Sequence, residues 1–173
     1  MMVRNVYDDR IDGVLQRVFG EDGGPVYVAD APATVVEAVV DALAAVEDEV
    51  TVRVLTDEAV FKSVFADFLV GSEAADHVAA GRLSLGVVPD AGPNPTAVAA
   101  ERVTSIVDAG ARVGGLRTED EELVDAARTS AAERWEEAAD FSLRTPPMST
   151  VREELSADLS ASVQEDFAGM LAS

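Results

Sequence analysis

Across residues 25 to 57 the spacing of apolar positions changes twice. Val26 to Ala29 is a short β-prone run. Val36, Val39, Val40 and Leu43 then recur at i, i+3, i+4, i+7, and Val50, Val52 and Val54 alternate with Thr51, Arg53 and Leu55. The pattern predicts strand, helix, strand, and a connection of this length makes the two strands parallel with a right-handed crossover. Thr34 and Glu37 stand at capping-box spacing and predict the start of the helix.

The same periodicities organise the rest of the chain. Ile11, Val14, Leu15, Val18 and Phe19 put one apolar face on a helix over Asp8 to Phe19. Val60, Phe61, Val64, Phe65, Phe68 and Leu69 form a broad stripe on a helix from Glu58 to Leu69, which Gly71-Ser72 is expected to break. A short helix over Ala74 to Ala80 should then stop at Gly81. Leu83 to Val88 reads as a strand, and the three prolines of Pro89 to Pro95 as a loop. Ala97 to Ala100, Val103 to Val107 and Arg112 to Leu116 predict a meander of hairpins. Thr118 and Glu121 form a second capping box, opening a helix to about Ala139 that aligns Leu123, Val124, Ala127, Ala131, Trp135 and Ala138.

The expected class is therefore α/β: a mixed β-sheet with a βαβ unit and flanking helices, plus C-terminal short helices. Pro146-Pro147 divides the chain into an α/β domain at 1–145 and a helical tail or linker at 146–173. In the tail, Thr150 with Glu153 and Ser162 with Glu165 have capping-box spacing, but few apolar residues are available for an independent core.

Composition adds one strong signal. The chain has 173 residues and 48% hydrophobic content, enough for one substantial core and a small appendage. It carries 33 acidic against 13 basic residues, a formal net charge of -20, and Lys62 is its one lysine. This looks like the composition of a haloarchaeal cytoplasmic protein, whose self-repulsion high salt would screen; an acidic domain from a low-salt organism is the alternative. The charge argues against direct nucleic-acid binding by this segment, since that affinity rests largely on basic groups neutralising phosphates. With no cysteine there is no disulfide framework, thiolate metal site or cysteine nucleophile. Apolar runs are broken well short of the ~20 residues of a membrane span, and no signal-peptide pattern opens the chain, so no membrane partner and a cytoplasmic location are expected.

Catalytic signatures are scarce. Gly20 to Gly24 does not spell a P-loop, Val113 to Leu116 does not follow the dinucleotide pattern, and no Gly-x-Ser-x-Gly elbow occurs. His77, the sole histidine, cannot build a multi-histidine metal site and reads as structural or solvent-facing. Trp135 reads as core rather than as a stacking platform. Ligands of open α/β sheets bind beyond the carboxyl ends of the parallel strands, which here present Asp30, Thr34, Thr56, Asp57 and Asp90. Thr34 and Asp57 also read as helix caps. The acidic ends suit a polyol or a cation; a phosphate would need Arg53 or Arg102 to fold in, and Arg102 joins the candidate set on that ground. Arg144 is placed to pair with a carboxylate at the junction with the tail, and with Pro146 and Pro147 forms a candidate hinge or interface.

Three stretches, WEEAADFSLRTPPMSTVR from Trp135 to Arg152, FLVGSEAAD from Phe68 to Asp76 and LRTEDEE from Leu116 to Glu122, resemble the haloarchaeal TbsP-like transcriptional regulators, suppressors connected with the sugar-responsive regulator TrmB. The resemblance runs from about residue 10 over nearly the whole chain. It implies an N-terminal effector or sensor domain, with DNA bound through a separate winged helix-turn-helix module outside this chain. The meander followed by the Trp135 helix also looks like the phospholipase-D-like domain of TrmB-type sensors. Catalytic members of that superfamily use His-x-Lys and a distant Asp, whereas His77 is followed by Val78 and Ala79 and Lys62 lies upstream, so catalysis is not expected.

Together these point to a non-enzymatic ligand-sensing and oligomerisation domain of a regulator of central carbon metabolism, gluconeogenesis or glycolysis. It would need no cofactor and no metal, form a homodimer, and bind a small metabolite such as a sugar phosphate or nucleotide. A pure dimerisation module without a ligand and a residual metal-dependent phosphodiesterase using Asp30 or Asp57 are the alternatives.

Overall fold

The computed structural model describes residues 4–21, 24–46, 49–144 and 146. In chain order the elements are β1 (Val6–Asp8), α1 (Ile11–Glu21), β2 (Gly24–Ala29), α2 (Ala33–Ala45), β3 (Val50–Thr56), α3 (Glu58–Val64), α4 (Phe68–Ala79), β4 (Leu83–Val87), β5 (Thr96–Val98), β6 (Val103–Asp108), β7 (Val113–Thr118), α5 (Glu121–Glu137) and β8 (Ala139–Asp140). The strands form one mixed sheet in the order β1-β7-β6-β5-β2-β3-β4-β8. β2, β3 and β4 run parallel. β5 returns antiparallel beside β2 and the meander continues outward through β6 and β7 to β1, while β8 closes the other edge against β4.

The alternation read in the sequence sorts the two faces. Val26, Val28, Val52 and Val54 are fully buried and pack, with Leu83 and Leu85, against the apolar sides of α1 to α4, including Val14, Leu15, Phe19, Val36, Val39 and Leu43. Their strand neighbours face α5: Ala29, Leu55 and Val88 meet Tyr27, Trp135 and Ala138, and Val98 and Val103 meet Val124. Burying a Val or Leu side chain contributes roughly 1.5–3 kcal/mol, so the parallel triad, covered on both sides, dominates the stability.

Several local expectations are corrected. The helix expected over Glu58 to Leu69 is two helices, because the Asp67 carboxylate accepts from the Leu69 and Val70 amides and starts α4 afresh. Gly71 and Ser72 lie buried inside α4 instead of breaking it, and the exposed Phe68 and Leu69 fall off the stripe. Gly81, at φ 75°, stops the helix as expected. Neither capping box forms. α2 starts on an extended Pro32 without a side-chain cap, and α5 is capped by Asp120, whose carboxylate accepts from the Leu123 amide at 3.0 Å. α1 begins at Ile11, not Asp8, because Asp8 belongs to the short edge strand β1. The two short helices expected after Pro146 lie outside the described residues.

Gly86 of β4 lies beneath the Trp135 ring: a Cβ there would stand 2.7 Å from the ring and 3.1 Å from the Ala138 methyl. Gly86→Ala should therefore lower stability by roughly 1–3 kcal/mol, the scale of overpacking a filled site. A shift of the urea midpoint with unchanged slope checks this; an unshifted midpoint would mean that α5 is not seated tightly on β4.

Candidate functional site

The carboxyl ends of β2, β3 and β4 make one rim. The Asp30 amide donates to the Leu55 carbonyl at 2.9 Å, and the Val88 amide to the Thr56 carbonyl at 3.0 Å. Asp30 turns the chain with φ at 59°, a left-handed conformation that Asp tolerates better than most residues. Its Oδ1 accepts from the Gly92 amide at 2.8 Å and from Arg134 Nη2 at 2.7 Å, while Oδ2 takes Arg134 Nη1 at 3.3 Å. One carboxylate thus ties the end of β2 to the proline loop and to α5.

The other rim residues are engaged in similar ways. The buried Thr56 hydroxyl donates to the Ala31 carbonyl at 2.7 Å, and the Asp57 carboxylate caps α3 by accepting from the Val60 amide at 3.0 Å. Thr34 is exposed on the first turn of α2 and, with Pro32, Pro93 and Pro95, lines an open cavity of about 380 Å³. Asp90, Arg134 and Glu137 line a smaller one of about 190 Å³.

Arg102 does not join them. β5 runs antiparallel to β2, so the turn carrying Arg102 lies at the opposite rim, where its guanidinium bonds Glu119 Oε1 at 2.8 Å and Glu21 Oε2 at 3.3 Å. Arg117, its side chain almost fully buried, holds the same Glu21 oxygen at 2.7 Å. Burial alone would raise the Glu21 pKa, but Arg117 and Arg102 outweigh it and hold the carboxyl below its ordinary value. Arg53 is not at the rim either. It lies on the α5 face, bonded to the Tyr27 hydroxyl at 3.0 Å, with its guanidinium 5.5 Å from the ring centres of Tyr27 and Trp135.

Acidic groups crowd the outer side of α1 and α2. Asp9, Asp12, Glu37, Asp41 and Asp108 line a cavity of about 270 Å³ together with Arg10. Burial, then the charge of Asp12, pushes the Asp41 pKa up; burial, then Asp41, Asp76 and Asp67, does the same for Glu73. Carboxyls raised in this way oppose folding while ionised at neutral pH, and dissolved salt relieves the repulsion. Among the described residues no three carboxylate or imidazole groups are arranged to hold a metal ion. His77 is half-buried, and its Nε2 has no hydrogen-bond partner among the described residues; burial, then Arg82, holds its pKa below the ordinary value.

Sequence patterns did not reveal the sheet edge at β8. There Phe141 packs at a tilt against Phe61 and Phe65, ring centres 5.0 and 6.0 Å away, and its amide donates to the Leu85 carbonyl at 3.1 Å. The segment 141–144 runs between two open cavities. One of about 540 Å³ is lined by Val78, Ser84, Leu85 and Asp140, and one of about 480 Å³ by Glu58, Lys62, Phe65, Ala66 and Arg144. Arg144, expected to pair with a carboxylate, makes no ion pair with a described residue, and Pro146 is exposed; Pro147 lies outside the described residues. The pairs that matter here and at the rims are far apart in sequence, which is why no motif spacing announces them.

The sequence signature described as transcriptional regulator TbsP-like, N-terminal, matches residues 3–146. The chain belongs to the TbsP-like family. No curated protein matches this TbsP-like domain. Among solved structures it is similar to TrmBL2, described as an archaeal chromatin protein with a novel mode of DNA binding. The two share 17% identity and a TM-score of 0.54 over 81% of this chain and 55% of that one, a likeness that shows the fold alone. The TbsP-like domain thus spans little more than half the length of that protein. No helix among its described residues is long and apolar enough to cross a membrane.

The Asp30–Arg134 link should be energetically real. In a double-mutant cycle, Asp30→Asn and Arg134→Gln should couple by roughly 1–2 kcal/mol, between an exposed ion pair and a buried charge-assisted one. Chemical denaturation of the four proteins gives the coupling; additive losses would show that the rim is held by packing alone.

Proposed function

We propose that this domain is the non-enzymatic sensory and oligomerisation half of a transcriptional regulator of central carbon metabolism in a halophilic archaeon. It binds a small anionic metabolite and passes the change through the segment leading to Pro146 toward a DNA-reading module. Family membership carries this reading. The formal charge of -20 and the crowded carboxylates of α1 and α2 support a salt-rich cytoplasm. The charge also leaves DNA contact to a separate basic module. Of the carboxylates a phosphodiesterase would need for a metal, Asp30 has both oxygens engaged by Arg134 and Gly92, and Asp57 has one engaged by the Val60 amide. The mixed α/β sheet is compatible with a phospholipase-D-like scaffold, and the lack of His-x-Lys in the sequence would leave such a scaffold to recognition rather than catalysis.

Oligomerisation has its own support. One face of β1, β7 and β6 carries Tyr7, Val107 and Leu116, each about half exposed; Tyr7 and Val107 flank Gly114 in register, and Leu116 stands two residues along β7 on the same face. A pure dimerisation module would use this face alone.

Calorimetric titration with sugar phosphates, glycolytic intermediates and nucleotides in molar KCl tests the sensing role. Saturable heat from at least one class is expected. Heat from none, with a dimer by light scattering, would leave the dimerisation module in its place.

A further inference from the structure

We infer that the cavity of about 480 Å³ between α3 and the segment 141–144 is a phosphomonoester site, with Lys62 and Arg144 holding the phosphate and the Phe65 and Phe141 rings packing against the body of the ligand. The inference takes the sensing role as its premise and gives it a place and a ligand chemistry.

Charge singles out this cavity. In a chain with 33 acidic and 13 basic residues, its lining holds two cations against one carboxylate, Glu58. Each of the four other cavities described above has more acidic than basic lining residues. One of its two cations is the only lysine of the chain. Arg144 is exposed and makes no ion pair with a described residue, so its planar fork of donors is available for a bidentate anion. Lys62 is bound to Glu58 at 3.0 Å, but its side chain is 67% exposed, and such a pair exchanges partners readily.

Phe65, Ala66, Phe141 and Leu143 supply the apolar part of the lining. Phe65 and Phe141 are half-buried with centres 6.0 Å apart and rest on the fully buried Phe61, which fixes them as a floor. A phosphate flanked by an aromatic floor matches a phosphorylated sugar or nucleoside, and the volume lies within the usual range of small-molecule pockets. In molar salt long-range attraction is screened, so selectivity falls to direct hydrogen bonds from Arg144 and to this floor. The position also gives binding a consequence. Arg144 lies on the chain leading to Pro146 and Lys62 on α3, so one phosphate held by both draws the exit segment onto the domain.

The test uses the 173-residue protein in molar KCl with inorganic phosphate, a hexose phosphate and adenosine monophosphate as calorimetric probes. At least one ester should bind saturably and more tightly than inorganic phosphate. Arg144→Gln should weaken it by roughly tenfold or more, the scale of one charge-assisted hydrogen bond, and Lys62→Gln by a smaller factor. Both side chains are exposed, so the variants should keep the wild-type melting temperature; Arg128→Gln on α5, across the sheet from α3, should bind as wild type. Ester binding unaffected by both substitutions would overturn the cavity assignment and leave sensing intact elsewhere. Esters no tighter than inorganic phosphate would overturn the role of the floor. Silence of all three probes, with heat from a neutral sugar or a dicarboxylate, would overturn the phosphomonoester chemistry alone; silence of every compound would overturn sensing with it.

Discussion

β2 and β3 lie inside the sheet with a strand on either side, so the hydrogen bonds of their buried peptide groups are completed within it. Valines on one side of these strands pack on α1 to α4, and Ala29 and Leu55 on the other side meet α5 and its Trp135. A strand buried on both faces has no freedom of register, since a slip of one residue would set Tyr27 and Arg53 among the helix-facing valines. This constraint fixes the positions of every rim residue, and it leaves flexibility only to the periphery.

The periphery is unequal. At the carboxyl rim, Asp30 locks the β2 end, the proline loop and α5 together through one carboxylate. At the opposite rim, Arg102 and Arg117 converge on Glu21. Both rims are thus closed by ion pairs in which each arginine has a carboxylate. The β8 edge differs: only two residues pair with β4, and the half-buried Phe141 that follows rests on the Phe61 and Phe65 rings of α3 and its C-cap. The proposed sensing role would need a firm base and an element that moves, and low local stability belongs to sparsely bonded edges.

Much of the fold was legible because the apolar period changes so clearly. The strand and helix periods of Val26 to Leu55 and the meander of Val103 to Leu116 are borne out, since buried positions recur as their geometry demands. Short edge strands were not legible: three residues at β1 and two at β8 are too few to show a period. The capping boxes misled because Pro32 and Asp120, each two residues from the expected cap, open the helices. The rim was legible as a place. What the sequence could not reveal was occupancy: Asp30 meets Arg134 across 104 residues, and whether Arg102 lies at one rim or the other depends on the antiparallel pairing of β5 with β2.

The central claim is that a rigid parallel core carries a loosely held exit segment. Native-state hydrogen exchange resolved by residue tests it most directly. The amides of Val28 and Val54 should exchange only through global unfolding, whereas the Phe141 amide, with its single bond to Leu85, should exchange by local opening at a free energy well below the global value. Equal protection at Val54 and Phe141 would contradict the account, because the exit segment would then be part of the core.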